Sequence, residues 1–216
     1  GHTSSLYYKF YPYLIRTDSI GDTLWTTTKL SPIPILNPGD YGNGGCTDVI
    51  EARDSSIYIL SQVADYDTAT VFFLCKLQLG GDTIWTSKFK WNFLGPDLYR
   101  LSEDLDGNIL LPGRIHYSLQ PTFTCGASLI KTDTTGDTLW VRQYPFYTNN
   151  SGFTSVVQTS DSGYFLTGVT YWGAGNTNCY FVRTNAFGDT LWTLDYGGPA
   201  NDGGWGILSS GNGYLL

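Results

Sequence analysis

Gly188-Asp-Thr-Leu-Trp192 ends one strand, turns the chain and opens the next strand with an indole, and near-identical words stand at Gly21 to Trp25, Gly81 to Trp85 and Gly136 to Trp140. The glycines, at 21, 81, 136 and 188, are 60, 55 and 52 positions apart. That spacing is the period of a supersecondary unit that cannot bury its own faces and stacks on copies of itself. Before each turn runs an apolar stretch with one basic residue: Tyr13 to Asp18, Phe73 to Gln78, Ser128 to Asp133 and Tyr180 to Asn185. After it comes a Trp-bearing stretch, at 23–30, 83–90, 138–144 and 190–196. Gly tolerates positive φ and short polar side chains bond local backbone, so each pair reads as a tight hairpin.

A second hairpin lies between these. Its first strands are expected at 46–52, 97–103, 152–159 and 204–210, and its second strands at 56–63, 108–115, 163–170 and 213–216. No helical period runs through the chain. Four short strands per repeat, named A to D in chain order, predict an all-β fold and a β-propeller of four-stranded blades. A sandwich also uses short strands with regular turns, but does not require one pair to repeat with the same turn and the same Trp. The expected organisation is a single domain: a C–D hairpin at 13–30, blades at 46–90, 97–144 and 152–196, and an A–B hairpin at 204–216. The terminal hairpins could zip into one composite blade, giving a closed four-bladed ring. The chain also stops inside a strand and carries no Met, which predicts a processed protein or a piece of a larger propeller.

Of the 216 residues, 41% are hydrophobic, 16% aromatic and only 14% charged, with net charge −7. A weakly charged surface rich in Tyr, Thr, Ser, Asn and Gly reads as extracellular. The 12 basic residues form no cluster, so nucleic acid is not expected as a partner. No apolar run is long enough for membrane insertion as a helix. Cys46, Cys75, Cys125 and Cys179 have no metal-knuckle spacing. They read as buried thiols or as disulfides, with Cys125 and Cys179 as the candidate pair because they occupy equivalent places in successive repeats.

Gly163-Tyr-Phe-Leu-Thr-Gly168, the run from Phe181 to Trp192, Tyr196-Gly-Gly198 and Asn201-Asp-Gly203 resemble the repeats of secreted bacterial β-propeller proteins. The second repeat departs, with Gln78 in place of Asp and Leu110-Leu-Pro-Gly113 in strand B. Asp133 to Trp140 is also similar to the Asp box of sialidase-type propellers and to the docking motif of quinoprotein propellers. In both families that motif is structural: a polar clasp on the turn and an aromatic plug between blades. The resemblance implies a secreted or cell-surface protein with a binding or scaffold role, and does not imply an enzyme. Gly21, Asp22, Trp25, Gly81, Asp82, Trp85, Gly136, Asp137, Trp140, Gly188, Asp189 and Trp192 are accordingly read as structural.

Function is expected on the opposite face, where the D–A and B–C connections are long and irregular. Trp91, Phe93, Tyr117, Tyr147, Tyr171 and Trp172 are the candidate platform for a glycan or protein ligand, since exposed rings stack on sugars or anchor protein partners. Filling of gaps between loops is the plainer reading of any single ring, and Trp205 is left unassigned. A glycosidase-like enzyme using Asp40, Asp65, Asp67 or Asp202 is the alternative. A sialidase-like site would need an arginine cluster there, and only Arg114 lies near one of these loops. His116, the one histidine besides His2, reads as an ordinary loop residue, which leaves no catalytic triad to assemble. Asp104-Leu-Asp106-Gly-Asn108 and Asp65-Tyr-Asp67 hint at calcium without the full ligand spacing, and read otherwise as solvated turns. Asn149-Asn-Ser151 fits a glycosylation sequon. No other cofactor is expected.

Overall fold

The computed structural model describes residues 13–28, 43–64, 71–89, 96–118, 124–144, 151–171, 176–211 and 213–215. All of their regular structure is strand, paired antiparallel. β1 (Leu14–Thr17) and β2 (Thr23–Thr27) form a first hairpin. β3 (Asn43–Glu51), β4 (Ile57–Ala64), β5 (Val71–Leu77) and β6 (Thr83–Phe89) form the first four-stranded sheet in chain order. The second contains β7 (Pro96–Leu98), β8 (Ser102–Glu103), β9 (Ile109–Ser118), β10 (Thr124–Thr132) and β11 (Thr138–Tyr144). The third runs β12 (Ser151–Gln158), β13 (Tyr164–Tyr171), β14 (Thr177–Thr184) and β15 (Thr190–Tyr196). β16 (Leu208–Ser210) and β17 (Gly213–Leu215) make a last hairpin. The two hairpins are separate two-stranded sheets, and the described residues form no closed ring.

Each of the three larger sheets has apolar residues on both faces because it lies between neighbours. Ile57, Ile59, Phe73, Cys75 and Leu77 pack with Leu14 and Trp25 of the first hairpin. The other face of the same sheet carries Tyr58, Leu60, Phe72, Leu74 and Phe89 against Leu98, Leu101, Ile109, Leu111 and Ile130. Leu110, Leu129 and Tyr144 then meet Phe153, Tyr164, Leu166 and Val182. Phe165 and Phe181 face Ile207 and Tyr214 near the last hairpin. This double burial is why β5 shows no apolar-polar alternation and is buried at every position, Lys76 included.

The repeated words join these layers. Gly21, Gly81, Gly136 and Gly188 have φ between +80° and +95°, a region that Gly enters without steric cost. Each turn is pinned by its own backbone, Gly136 N to Asp133 O among them. Asp18, Asp133 and Asn185 add an Asx turn: each Oδ1 accepts from two backbone N–H groups, at 2.8–3.0 Å. The Trp that follows reaches across to the turn of the next sheet. A Cβ placed on Gly81 would stand 2.9 Å from Trp25, one on Gly136 2.6 Å from Trp85, and one on Gly188 3.2 Å from Trp140. Trp25 Nε1 also donates to Leu79 O at 3.0 Å.

A second periodic element is ionic. The basic residue of each sheet's third strand meets an acid of the turn between the first two strands: Lys76 with Asp54, Lys131 with Asp104, Arg183 with Asp161. Asp104 is fully buried, so it is neither a solvated turn residue nor an open calcium ligand. Its oxygens accept from Lys131 at 2.7 Å, from Asn108, and from the N–H of Asp106. The Asp65 to Asp67 candidate lies outside the described residues. No helix in the described residues is long and apolar enough to cross a membrane.

Cys125 and Cys179 are not bridged, and all four cysteines are free thiols. Equivalent positions in stacked sheets stand about 10 Å apart, beyond the reach of a disulfide. Burial raises all four thiols, Cys75 to about 11.

These contacts fix three stability outcomes. Gly136→Ala carries both backbone strain and collision with Trp85, whereas a Cβ on Gly21 meets nothing within 4 Å. Urea denaturation is expected to show Gly136→Ala losing about 1–3 kcal/mol and Gly21→Ala distinctly less. Asp104→Ala strands Lys131 and should cost about 3–5 kcal/mol. Asp54 is held to about 2 by Ser56 and Lys76, and Asp161 to about 2 by Thr159 and Arg183. For Asp104, burial raises the carboxyl, but bonds from Lys131 and Asn108 outweigh it and leave it low. Because these folded values lie below the unfolded one, about 3.9, their stabilisation is complete above that pH and lost as pH falls towards 2. Urea midpoints measured from pH 6 to pH 2 should fall accordingly.

Candidate functional site

Of the rings read as a ligand platform, Trp91, Phe93, Tyr147 and Trp172 lie outside the described residues. Tyr117 and Tyr171 sit in the last turns of the ladder, on β9 and β13, and their side chains are likewise outside. Asp40, Asp65, Asp67 and Asn149 are outside too. Asp202 is described, and it is engaged: its Oδ2 accepts from Gly198 N at 2.6 Å, while its own N–H donates to Thr177 O at 2.7 Å. It clasps the 197–203 connection to β14. Ser151 of the sequon is buried, its Oγ accepting from Ala127 N.

What the structure brings together at that end of the sheets is a different group, and its origin is a proline. The expected strand at 97–103 is broken into β7 and β8. Leu98 pairs with Gly113 and Ser102 with Leu110, so residues 99–101 stand opposite Leu111 and Pro112 alone. Pro112 has no N–H to give the ladder. Gly113 next to it lets β7 approach closely, since a Cβ there would lie 2.1 Å from Asp97 O. In the neighbouring sheets the equivalent bulge holds a threonine: Thr47 Oγ1 donates to Leu60 O at 3.1 Å and Thr154 Oγ1 to Thr167 O at 3.2 Å. In the second sheet Tyr99 occupies that place, and the bulge turns Tyr99 and Arg100 outwards while Leu101 stays in the core, its N–H bonded to Asp48 at 2.7 Å.

Tyr99 and Arg100 form one wall of a cleft of about 340 Å³ between the second and third sheets. Arg114, Gly152, Thr154, Val169 and Trp205 complete it. Trp205, on the segment before β16, is 72% exposed. The stem of Arg114 lies over Gly152. Its Nε donates to Asp97 Oδ2 at 2.6 Å, and His116 Nε2 lies 3.1 Å from the same oxygen. His116 is therefore a strand residue facing a carboxylate, not a loop histidine. Its Nδ1 is buried with no hydrogen-bond partner among the described residues. Burial pushes the Asp97 carboxyl up, but the bonds from His116 and Arg114 outweigh this and hold it below the usual range. Asp97 neutralises Arg114, so Arg100 supplies the cleft's remaining positive charge.

The chain thus has two arginines at this face, where the sequence pointed to Arg114 alone. Among the described residues no group of three or more His, Cys, Asp and Glu is placed to hold a metal ion. The chemistry within reach is recognition: an exposed indole face, an aromatic wall, a guanidinium and a threonine. No model of a known protein family matches the chain, and a search among curated protein sequences finds no match.

Asp97→Asn keeps one acceptor oxygen but takes away the negative charge that Arg114 and His116 share in a partly buried place. Asp97→Asn is expected to lower stability by about 1–3 kcal/mol at pH 7. The loss should shrink as pH falls below about 4, because protonation then takes the same charge from Asp97 itself. Parallel urea titrations of both proteins at pH 7 and pH 3 measure it.

Proposed function

We propose that this protein is a non-catalytic binding module, secreted or displayed at a cell surface, that takes a glycan on the long-connection end of its sheets. Its architecture is that of β-propeller blades, with the repeated turns as scaffold and the irregular connections as the variable surface. The observation that carries the reading is the cleft around Trp205, Tyr99 and Arg100. Its volume lies in the range of small-molecule sites. An indole face held open to water suits the apolar face of a sugar ring, and Arg100 with Thr154 offers polar partners for ring hydroxyls. The weakly charged surface and the resemblance to exported bacterial repeats support the location.

The disposition of carboxylates supports binding over hydrolysis. Glycoside cleavage needs two carboxyl groups about 5–9.5 Å apart across the bond. At this cleft Asp97 is locked beneath Arg114 and His116, and Asp202 clasps its own loop.

A panel of neutral and acidic oligosaccharides, titrated by calorimetry, tests this. At least one class should bind, and Trp205→Ala and Arg100→Gln should each weaken it about tenfold or more, as loss of a central contact does. Binding that survives both substitutions but is lost in Trp91→Ala or Trp172→Ala would move the site onto the connections. No binding by the intact protein would overturn the reading, and turnover of any sugar would make it an enzyme.

A further inference from the structure

At the bulge in the first strand of a sheet, one side chain reaches across to the next layer. In the first sheet the residue after the bulged Thr47 is Asp48, and its Oδ2 accepts from the N–H of Leu101 in the second sheet at 2.7 Å. In the third sheet the residue after Thr154 is Ser155, whose Oγ accepts from the N–H of Ile207, ahead of the last hairpin, at 3.4 Å. Both side chains are acceptors, and each takes a backbone N–H of the adjoining layer. In the second sheet the same place, after Tyr99, is held by Arg100, and Val156 of the third sheet holds the position of Leu101 and Ile207. A guanidinium has five donors and no acceptor. Arg100 therefore cannot make the clasp found at the joints on either side.

Among the described residues nothing takes up that guanidinium: Arg100 is exposed and makes neither an ion pair nor a hydrogen bond. Arg114, the other arginine of the cleft, is held by Asp97 at 2.6 Å. A purely structural role would favour Ser or Asp at this place, as at the two neighbours. A donor-only side chain lining a cleft suits an anionic group of a ligand instead. The charge left over sets which anion. One positive charge remains uncompensated, which matches a single carboxylate, and the planar fork pairs two N–H groups with its two oxygens. A carboxylate also occupies the equivalent place at the neighbouring joint, on Asp48. The net charge of −7 repels anions at long range, so attraction for an acid is confined to this point.

Resting on the glycan reading of this cleft, we infer that its ligand is an acidic saccharide of the uronate class, with the sugar's carboxylate paired to Arg100. Tyr99 and Trp205 flank the sugar ring, as they flank the cleft. Arg100 is then the residue that selects acidic over neutral sugars. Because it stands where the joint would take an acceptor, the same residue lowers the stability of that joint, a trade common at sites shaped for a ligand.

The experiment titrates the intact chain by calorimetry with oligosaccharides of glucuronate, galacturonate and mannuronate, each beside the same sugar with its carboxyl groups reduced to alcohols, and with a sulfated neutral oligosaccharide. At least one uronate should bind about tenfold or more tighter than its reduced form, as loss of a charged hydrogen bond predicts. Arg100→Ser should bring the two to within about twofold of each other. Because serine restores the acceptor seen at Ser155, its urea midpoint should equal or exceed the parent's. Equal binding of uronate and reduced sugars, or binding of neutral sugars alone, overturns the inference and leaves the cleft a glycan site. No binding of any sugar overturns both readings. A sulfated sugar held more tightly than every uronate overturns the choice of carboxylate. A uronate preference that survives Arg100→Ser overturns the assignment of Arg100, as does a fall in the urea midpoint, which would mark Arg100 as a structural residue.

Discussion

An indole laid over the turn glycine of the following sheet, at Trp25 on Gly81, Trp85 on Gly136 and Trp140 on Gly188, couples each layer to the next. A lone four-stranded antiparallel sheet with two apolar faces is not stable in water, so each sheet here needs both neighbours. The Trp contact sets where those neighbours sit. The turn must stay a glycine for two reasons, its positive φ and the space the ring occupies. Both conditions recur at every joint, which is why the five-residue word recurs almost unchanged while the rest of each repeat drifts.

The opposite end of the sheets is free of this constraint. The turn end is also tied by the Lys76–Asp54, Lys131–Asp104 and Arg183–Asp161 pairs, which anchor the third strand to the first turn. With one end held, a local change at the other alters shape without loss of the layer. Pro112 and Tyr99 are such a change: they replace a threonine-clamped bulge by an opened one, and Tyr99 and Arg100 turn outwards beside Trp205. Pro112 and Tyr99 depart from the repeat, and the change opens onto one cleft.

Much of the ladder was legible from pattern. The hairpins around the Gly-Asp-Thr turns fall where positive-φ glycine and short polar neighbours demand, and the apolar runs before them become the doubly buried third strands. The split of the 97–103 strand was not foreseen, although Pro112 was visible in strand B, because a missing donor shows its effect only once the partner strand is known. Asp104 read as a solvated turn acid, since nothing in linear order reveals that Lys131 closes over it. Cys125 and Cys179 looked equivalent and hence pairable, but equivalence in stacked layers means separation by the sheet spacing.

The candidate site shows the same division. Arg114 was noticed from its loop, whereas Arg100, Tyr99 and Trp205 lie far apart in the chain and meet only because the second and third sheets pack face to face. By itself the sequence determined the all-β class, the repeat and the turn chemistry, because these depend on local backbone preference and a short period. The tertiary structure alone decided which side chains share a cleft, which carboxylates are spent on clasps and which aromatic faces stay uncovered. Those outcomes depend on distances between residues some fifty positions apart, and layer stacking sets such distances where local preference cannot.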